Sequence, residues 1–395
     1  MIETIIDSRI EAHIESTIQF TSLYIHIPFC KKKCNYCDFL SFDHEEDKIE
    51  AYINALVEEI RSYKTVLKKD IIKSIFIGGG TPSVLEPTYI DIIMKEIHKL
   101  FKIDKAAEIT IECNPGSLSR QKVMTYKELG INRISLGLQT VNDERLQHLG
   151  RIHTFKEFVQ NYNMLREVGY DNINVDLIFG LPNQTIEEWQ VTIDQIITLN
   201  PEHISVYGLI IEEDTKYYKQ FQQKLWTLPE EEEERDMYWY ASQTLSEHGY
   251  NHYEISNYSK QDYSCKHNKV YWTLGNYIGM GLGAASYYEN NRMDNIRNIQ
   301  DYIAAQGNLD QVIANKYESS LKAQKEEFLF LGLRLFEGIS KQIYYKKFNE
   351  KLEDLYGEVI DELLKQELLV EEGDRLRLTN RGMDISNYVL AHFIL

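Results

Sequence analysis

Short apolar, β-branched runs recur along the first half of the chain, at residues 23–27, 74–77, 108–112, 133–137, 172–178 and 203–209. A Gly, Pro or Asn turn closes each run. Between them, apolar positions return with helical period at about 47–68, 87–101, 119–129, 154–168 and 185–199. Six strands alternating with helices predict an α/β protein built on a parallel sheet. An open, partial barrel and a doubly wound sheet both fit this count, and periodicity does not choose between them. In either architecture ligands gather beyond the carboxyl ends of the strands. The chain places Cys30, residues 78–81, residues 112–115, Gln139 and residues 176–182 there, so these positions are expected to converge on one cavity.

Beyond residue 209 the alternation loosens. Glu230 to Glu234, directly after Pro229, read as a helix N-terminus, where proline is tolerated and acidic side chains meet the positive end of the helix dipole. From about 320 onward, helices at 324–335 and 344–366 precede a hairpin at 368–378 that turns at Gly373 and Asp374, and a last helix starts near Asn380. This order predicts a small winged-helix-like domain at 320–395, after an N-terminal extension (1–22) and a main domain (23–310).

Winged helices often bind nucleic acid, but 61 acidic against 43 basic residues leave a net charge of -18. Phosphate neutralisation therefore cannot drive association, and a packing or docking role is expected instead, with no nucleic acid partner. Glu3, Asp7, Glu11 and Glu15 interrupt the first 20 residues, unlike the basic start and apolar core of a signal peptide. No apolar run approaches the roughly 18 residues needed to cross a bilayer; the best, 388–395, is broken by His392. A cytoplasmic protein is expected, with at most peripheral membrane association.

Three of the five cysteines fall within eight residues, as Cys30-Lys-Lys-Lys-Cys34-Asn-Tyr-Cys37, in the loop after the first strand. Such a cluster suits metal ligation better than disulfides. The spacing wraps one loop around an iron-sulfur cluster, giving three thiolates to three irons and leaving a fourth iron open to chelate an amine and a carboxylate. A zinc site completed by His26 or His44, or three incidental thiols, are the alternatives. Cys113 and Cys265 stand alone. Strand alternation turns Cys113 away from Glu112, which makes it a core thiol.

CxxxCxYC after a first strand resembles the signature of the radical S-adenosylmethionine (SAM) superfamily, and the similarity runs from residue 23 to about 335. The resemblance implies a partial (β/α)6 barrel, a [4Fe-4S] cluster on Cys30, Cys34 and Cys37, and SAM bound at the open iron. It further implies that the glycine loop Gly78-Gly79-Gly80-Thr81-Pro82 contacts the methionine amine of SAM. Glu112, Gln139, Arg151 and Asp176 match positions that bind its polar groups, with Tyr24 beside the cluster loop.

Several phrases, among them Tyr24-Ile-His-Ile-Pro-Phe-Cys30, Ile-Glu112-Cys-Asn-Pro-Gly116 and Asp176-Leu-Ile-Phe-Gly-Leu-Pro182, are similar to one branch. That branch holds oxygen-independent coproporphyrinogen III oxidase and related haem chaperones. The oxidase continues its motif to a fourth cysteine, where this chain has Phe39, and carries a longer N-terminal segment. Both departures match the chaperones.

His267-Asn268-Lys-Val-Tyr271-Trp272 is similar to the HNxxYW motif that accompanies haem in that group. Read as residues alone, His267 and Asn268 cap a turn and the aromatics fill core. With the resemblance, an imidazole offered to iron and aromatics flanking a porphyrin become the better reading. The expectation is a haem chaperone, with loss of coproporphyrinogen dehydrogenase activity. It passes haem to acceptor haemoproteins such as respiratory membrane proteins, and a homodimer is compatible with it. An oxidative decarboxylase of porphyrin biosynthesis is the alternative, and a zinc or partner-binding scaffold the third.

Overall fold

The structure is a computed structural model that describes residues 19–394; most of the expected N-terminal extension lies outside the described residues. Six strands, β1 (Gln19–Ile27), β2 (Asp70–Gly79), β3 (Lys102–Cys113), β4 (Arg133–Gln139), β5 (Ile173–Phe179) and β6 (His203–Gly208), pair in parallel and in chain order. A doubly wound sheet reverses its strand order at a switch point. Here there is no reversal, so the two readings left open by periodicity resolve in favour of the barrel.

The barrel stays open. β1 takes β9 (Tyr277–Met280) as its outer neighbour and β6 takes β8 (Asn257–Ser259), so β1 and β6 do not pair. β7 (Asn251–Glu254) completes one edge. On the other, β10 (Ala285–Tyr288), β11 (Asn291–Asn295) and β12 (Ile313–Glu318) extend the sheet to twelve strands. These short flanking strands have no clear period in the sequence, which is why the loosened pattern after residue 209 did not predict them.

Alternation along each strand separates two faces. Leu23, Ile25, Ile75, Ile77, Ile134 and Val175 are fully buried and join one core with residues from the covering helices, such as Leu56, Ile60, Ile93 and Ile193. The opposite positions, among them Glu108 and Glu112, Arg133 and Ser135, Asn174 and Asp176, His203 and Ser205, form a polar interior. Asn174 ties it together: its Oδ1 pairs with His203 Nδ1 and accepts from Ser205 Oγ, while its Nδ2 donates to Ser135 Oγ and Asp176 Oδ1.

One buried carboxylate locks the flanking strands to the barrel. Glu59, on the helix Ile49–Ser62, accepts from Tyr302 Oη, from the Gly281 N–H at 2.8 Å and from Asn295 Nδ2 at 2.8 Å. Burial outweighs these donors and pushes its pKa up from 4.5 to about 7. A carboxyl raised on folding stabilises the fold fully below the unfolded value, and that stability is lost as pH rises through the folded one. Glu59→Gln is therefore expected to remove a pH-dependent part of stability. In denaturant unfolding, the free-energy difference between wild type and variant falls by about 2 to 3 kcal/mol from pH 5 to pH 7.5. The same difference at both pH values would rule this out.

In the C-terminal part, the hairpin forms as β14 (Leu369–Glu372) and β15 (Arg375–Leu378), turning at Gly373 and Asp374, and a short β13 (Ile339–Ser340) pairs with β15. The single helix expected at 344–366 is two helices, Lys341–Phe348 and Leu352–Lys365. Asn349 sits in left-handed backbone, ends the first and turns the chain into the second. Helix Leu321–Gly332 begins and ends slightly earlier than expected. The residues form their own apolar cluster around Tyr344, Tyr356, Leu363 and Leu376. The acidic run does start a helix, Glu231–Glu247, with Glu230 and Glu233 making a reciprocal capping box. No described helix is long and apolar enough to cross a membrane.

Candidate functional site

The cysteine loop leaves β1 and is pinned at both ends. The Cys30 N–H donates to Phe42 O at 2.8 Å, the Phe42 N–H to Pro28 O at 2.7 Å, and the Asn35 N–H reaches Leu149 O at 2.9 Å. Lys33 is consumed in this scaffold: its N–H donates to Asp43 and its Nζ to the carbonyls of Phe39 and Ser41. The glycine loop after β2 packs directly beneath. A Cβ on Gly80 would stand 2.9 Å from Cys30 Sγ and 2.8 Å from Phe29 O, and Gly79 has φ +118 with the His26 ring 2.7 Å from where its Cβ would be. Glycine is needed at both positions for close approach, and at Gly79 for backbone conformation as well.

A cavity of about 340 Å³ opens above the strand ends, and Cys30, Cys34 and Cys37 line it together. Burial pushes the Cys30 thiol up and the Cys37 thiol up to about 11, so these two stay protonated when bare and iron would displace their protons on binding. Three soft thiols on one loop suit the irons of a cluster, and His26, one of the two expected zinc partners, is not free to complete a zinc site. His26 is engaged through both ring nitrogens, with Tyr24 Oη at 3.0 Å and Leu40 O at 2.8 Å. Among the described residues no three His, Cys, Asp or Glu side chains are grouped to hold a single metal ion.

The remaining expected SAM residues, Tyr24 excepted, line the same cavity: Gly79, Gly80, Thr81, Glu112, Gln139, Arg151 and Asp176. Glu112 Oε2 accepts the Gly79 N–H at 3.1 Å. Burial first, and the neighbouring Asp176 second, push its pKa up to about 8, while the Gly79 N–H pulls it back. Arg151 spans the wall. Its Nη1 lies 3.5 Å from Cys34 Sγ, and its Nη2 donates to Gly137 O at 2.7 Å and to Asn114 Oδ1. The wall is open for it because a Cβ on Gly137 would come within 3.1 Å of the guanidinium. Gln139 is held in left-handed backbone, φ 78, where the β4–β5 register slips. Both Asp176 oxygens are oriented from within, by Ser135 Oγ at 3.1 Å and Asn174 Nδ2 at 2.7 Å. Cys113 is buried beside this wall.

A second chamber of about 210 Å³ lies deeper in the barrel and shares Glu112, Ser135, Asp176 and Tyr207 with the first. Tyr24 lines this chamber, as do His267, Asn268 and Tyr271 from the helix Lys266–Trp272. Glu108 caps that helix from β3, taking the N–H groups of Lys266 and His267 and the Cys265 thiol. His267 is 1% exposed, with Nδ1 2.9 Å from Ser74 Oγ and Nε2 2.9 Å from Tyr271 Oη. As an iron ligand the ring would have to give up one of these bonds. Trp272 lines neither chamber and packs under Arg334.

Sequence reasoning missed Asn114, Ser135, Asn174, Arg133 and the rim residues Lys32, Tyr207 and Ile210. For the interior set a signal existed: polar residues at every second position of strands otherwise full of Ile, Leu and Val. For Ile210 there was none, because β6 ends before it and the loop beyond has no period, whereas Tyr207 lies within β6 and Lys32 within the cysteine loop.

Residues 24–196 match the family model of the radical SAM superfamily, and residues 320–385 that of the HemN C-terminal domain. Among curated proteins, the chain is similar to the haem chaperone HemW of Lactococcus lactis, 36% identical over 95% of this chain and 97% of that protein. It is similar also to HemW of Bacillus subtilis, at 35% over 94% and 99%, and of Escherichia coli, at 32% over 94% and 98%. The solved structure of coproporphyrinogen III oxidase (HemN) from Escherichia coli superimposes with a TM-score of 0.84, covering 97% of this chain and 93% of that one. At 21% identity the likeness is one of fold.

Proposed function

The chain belongs to the HemW family within the radical SAM superfamily, and from that premise we propose that it is a haem chaperone, taking up haem and passing it to acceptor haemoproteins, respiratory membrane proteins among them. The reading rests on identity of 32 to 36% across nearly the whole length of several HemW proteins. Phe39, where the oxidase motif has a fourth cysteine, supports the same side. Coproporphyrinogen oxidation is the weaker reading, since the oxidase of the same fold is only 21% identical.

In this reading Cys30, Cys34 and Cys37 hold a [4Fe-4S] cluster. When bound, the cluster supplies an open iron for the amine and carboxylate of SAM and one-electron chemistry beside it. The chain's own residues do the positioning. Glu112 would present a carboxylate to the N–H groups of that amine, backed by the Gly79 N–H. Arg151 ties the cluster loop to β4 through Cys34 and Gly137, and Asp176 is presented by Ser135 and Asn174 as a fixed acceptor pair. Cluster and SAM then regulate haem transfer or assembly into a homodimer and do not decarboxylate a porphyrinogen.

The test is a spectroscopic titration of the anaerobically reconstituted protein with haemin, run beside an assay with coproporphyrinogen III, SAM and dithionite. Saturable haem binding, with transfer of the Soret absorbance to a haem-depleted acceptor and no protoporphyrinogen formed, is expected. Protoporphyrinogen formation, or no haem binding, overturns the proposal.

A further inference from the structure

The deeper chamber of the barrel is lined by a buried cation that makes no hydrogen bond. Arg133 is 2% exposed, its Nε has no partner, and its guanidinium donates to no acceptor among the described residues. The carboxylates that offset its charge, Glu108 and Asp176, are committed elsewhere. Glu108 takes the Cys265 thiol and the N–H groups of Lys266 and His267, while the two Asp176 oxygens accept from Ser135 Oγ and Asn174 Nδ2. The charge of Arg133 is balanced; its N–H groups are not. A buried donor without an acceptor is costly, and most so when it is charged.

Most other polar side chains of the chamber are engaged with neighbours, Tyr24 with His26, Tyr271 with His267 and Ser205 with Asn174. Asn268 is an exception. It lines the chamber, and its amide makes no hydrogen bond among the described residues. His267 and Tyr271, on the same helix, line the chamber with it. A guanidinium and a carboxamide thus border about 210 Å³ of space with their donors unmet. That volume lies below the roughly 300 Å³ at which pockets for drug-sized ligands begin, so it admits a carboxylate on a short arm and not a porphyrin ring. A guanidinium is a planar fork that matches the two oxygens of a carboxylate.

Resting on the haem-chaperone reading, we propose that Arg133 and Asn268 form a carboxylate subsite in the barrel floor that takes one propionate of haem. The propionate enters the chamber ahead of the ring, past the helix that carries His267 and Tyr271, along the wall of Glu112, Ser135, Asp176 and Tyr207 shared with the upper cavity. Because Glu108 and Asp176 already offset the charge of Arg133, selection rests on charge-assisted hydrogen bonds rather than on net charge. A propionate ester lacks the anionic oxygens that make those bonds.

The experiment titrates haemin and haemin dimethyl ester against cluster-loaded wild type, Arg133→Gln and Arg133→Lys, with cluster iron and SAM affinity measured for each protein. Wild type is expected to bind haemin at least about tenfold more tightly than the ester, and Arg133→Gln to bind the two within about twofold of one another. Arg133→Lys, which keeps the charge without the fork, regains part of the preference. Cluster iron stays at the wild-type level. Equal affinity of wild type for the two ligands overturns the subsite, and so does a preference that persists in Arg133→Gln, which would report only the bulk of the ester. A loss of SAM affinity in Arg133→Gln with the haemin preference intact assigns the carboxylate to SAM and overturns it as well. Should Arg133→Gln not fold, the wild-type preference and its reduction in Arg133→Lys decide. Each of these outcomes leaves the chaperone reading standing, whereas absence of haem binding by wild type overturns that reading itself.

Discussion

Cys34→Ser is expected to lose essentially all cluster iron and sulfide on anaerobic reconstitution while the protein folds and melts as wild type does. Serine offers a hard oxygen in place of a soft thiolate, and two remaining cysteines on one short loop do not retain a four-iron cluster. The fold does not depend on the loop's sulfur. The loop is pinned by backbone bonds of Cys30, Asn35 and Phe42, and the core lies on the far side of the strands. Arg151 loses its 3.5 Å contact with Cys34 Sγ but keeps Gly137 O and Asn114. Iron analysis and a thermal melt check this together; near-stoichiometric iron, or aggregation of the variant under anaerobic purification, would count against it.

Glu112→Gln is expected to weaken SAM binding to the cluster-loaded protein by at least about tenfold, since a hydrogen bond to a charged group contributes roughly 1.5–3 kcal/mol. The pH dependence separates this from a packing defect. Glu112 is pushed up to about 8 by burial and by Asp176, so in the ligand-free protein it ionises only near and above that pH. As pH falls from 8.5 to 6.5, wild-type affinity should drop by up to about tenfold per pH unit below 8. The amine of SAM must be neutral to bind iron, so its protonation over the same range also weakens binding, and the carboxylate is reported by the difference between the two proteins. In the glutamine variant the loss shrinks to the part that comes from the amine. Calorimetric titration at three pH values decides it, and a parallel pH profile in both proteins would remove Glu112 from the amine site.

Local features of the chain were legible because they depend on neighbours in sequence. Three cysteines within eight residues must face one point, so the cluster loop needed no tertiary information. The strand-end positions of Gly79, Glu112, Gln139 and Asp176 followed from counting strands, and the structure brings them around one cavity. Asn349 shows the limit. Its neighbours have continuous helical period, and only the packing of the two C-terminal helices around Tyr344 and Tyr356 makes a left-handed break favourable there.

Relations between near neighbours thus specified the parts: six strand–helix units, the metal loop, the glycine turn and a small C-terminal hairpin unit. The tertiary structure decided how they are joined. Strand order is a relation between segments tens of residues apart, so the open barrel, rather than a doubly wound sheet, could be recognised only from the pairing of β1 with β2 and β9 and of β6 with β8. Tertiary contacts also fixed the setting of His267, whose ring meets Ser74, 193 residues away in the chain, while Glu108, 159 residues away, takes its backbone N–H. A motif states which side chains are available; whether an imidazole keeps a free nitrogen depends on what the fold packs against it.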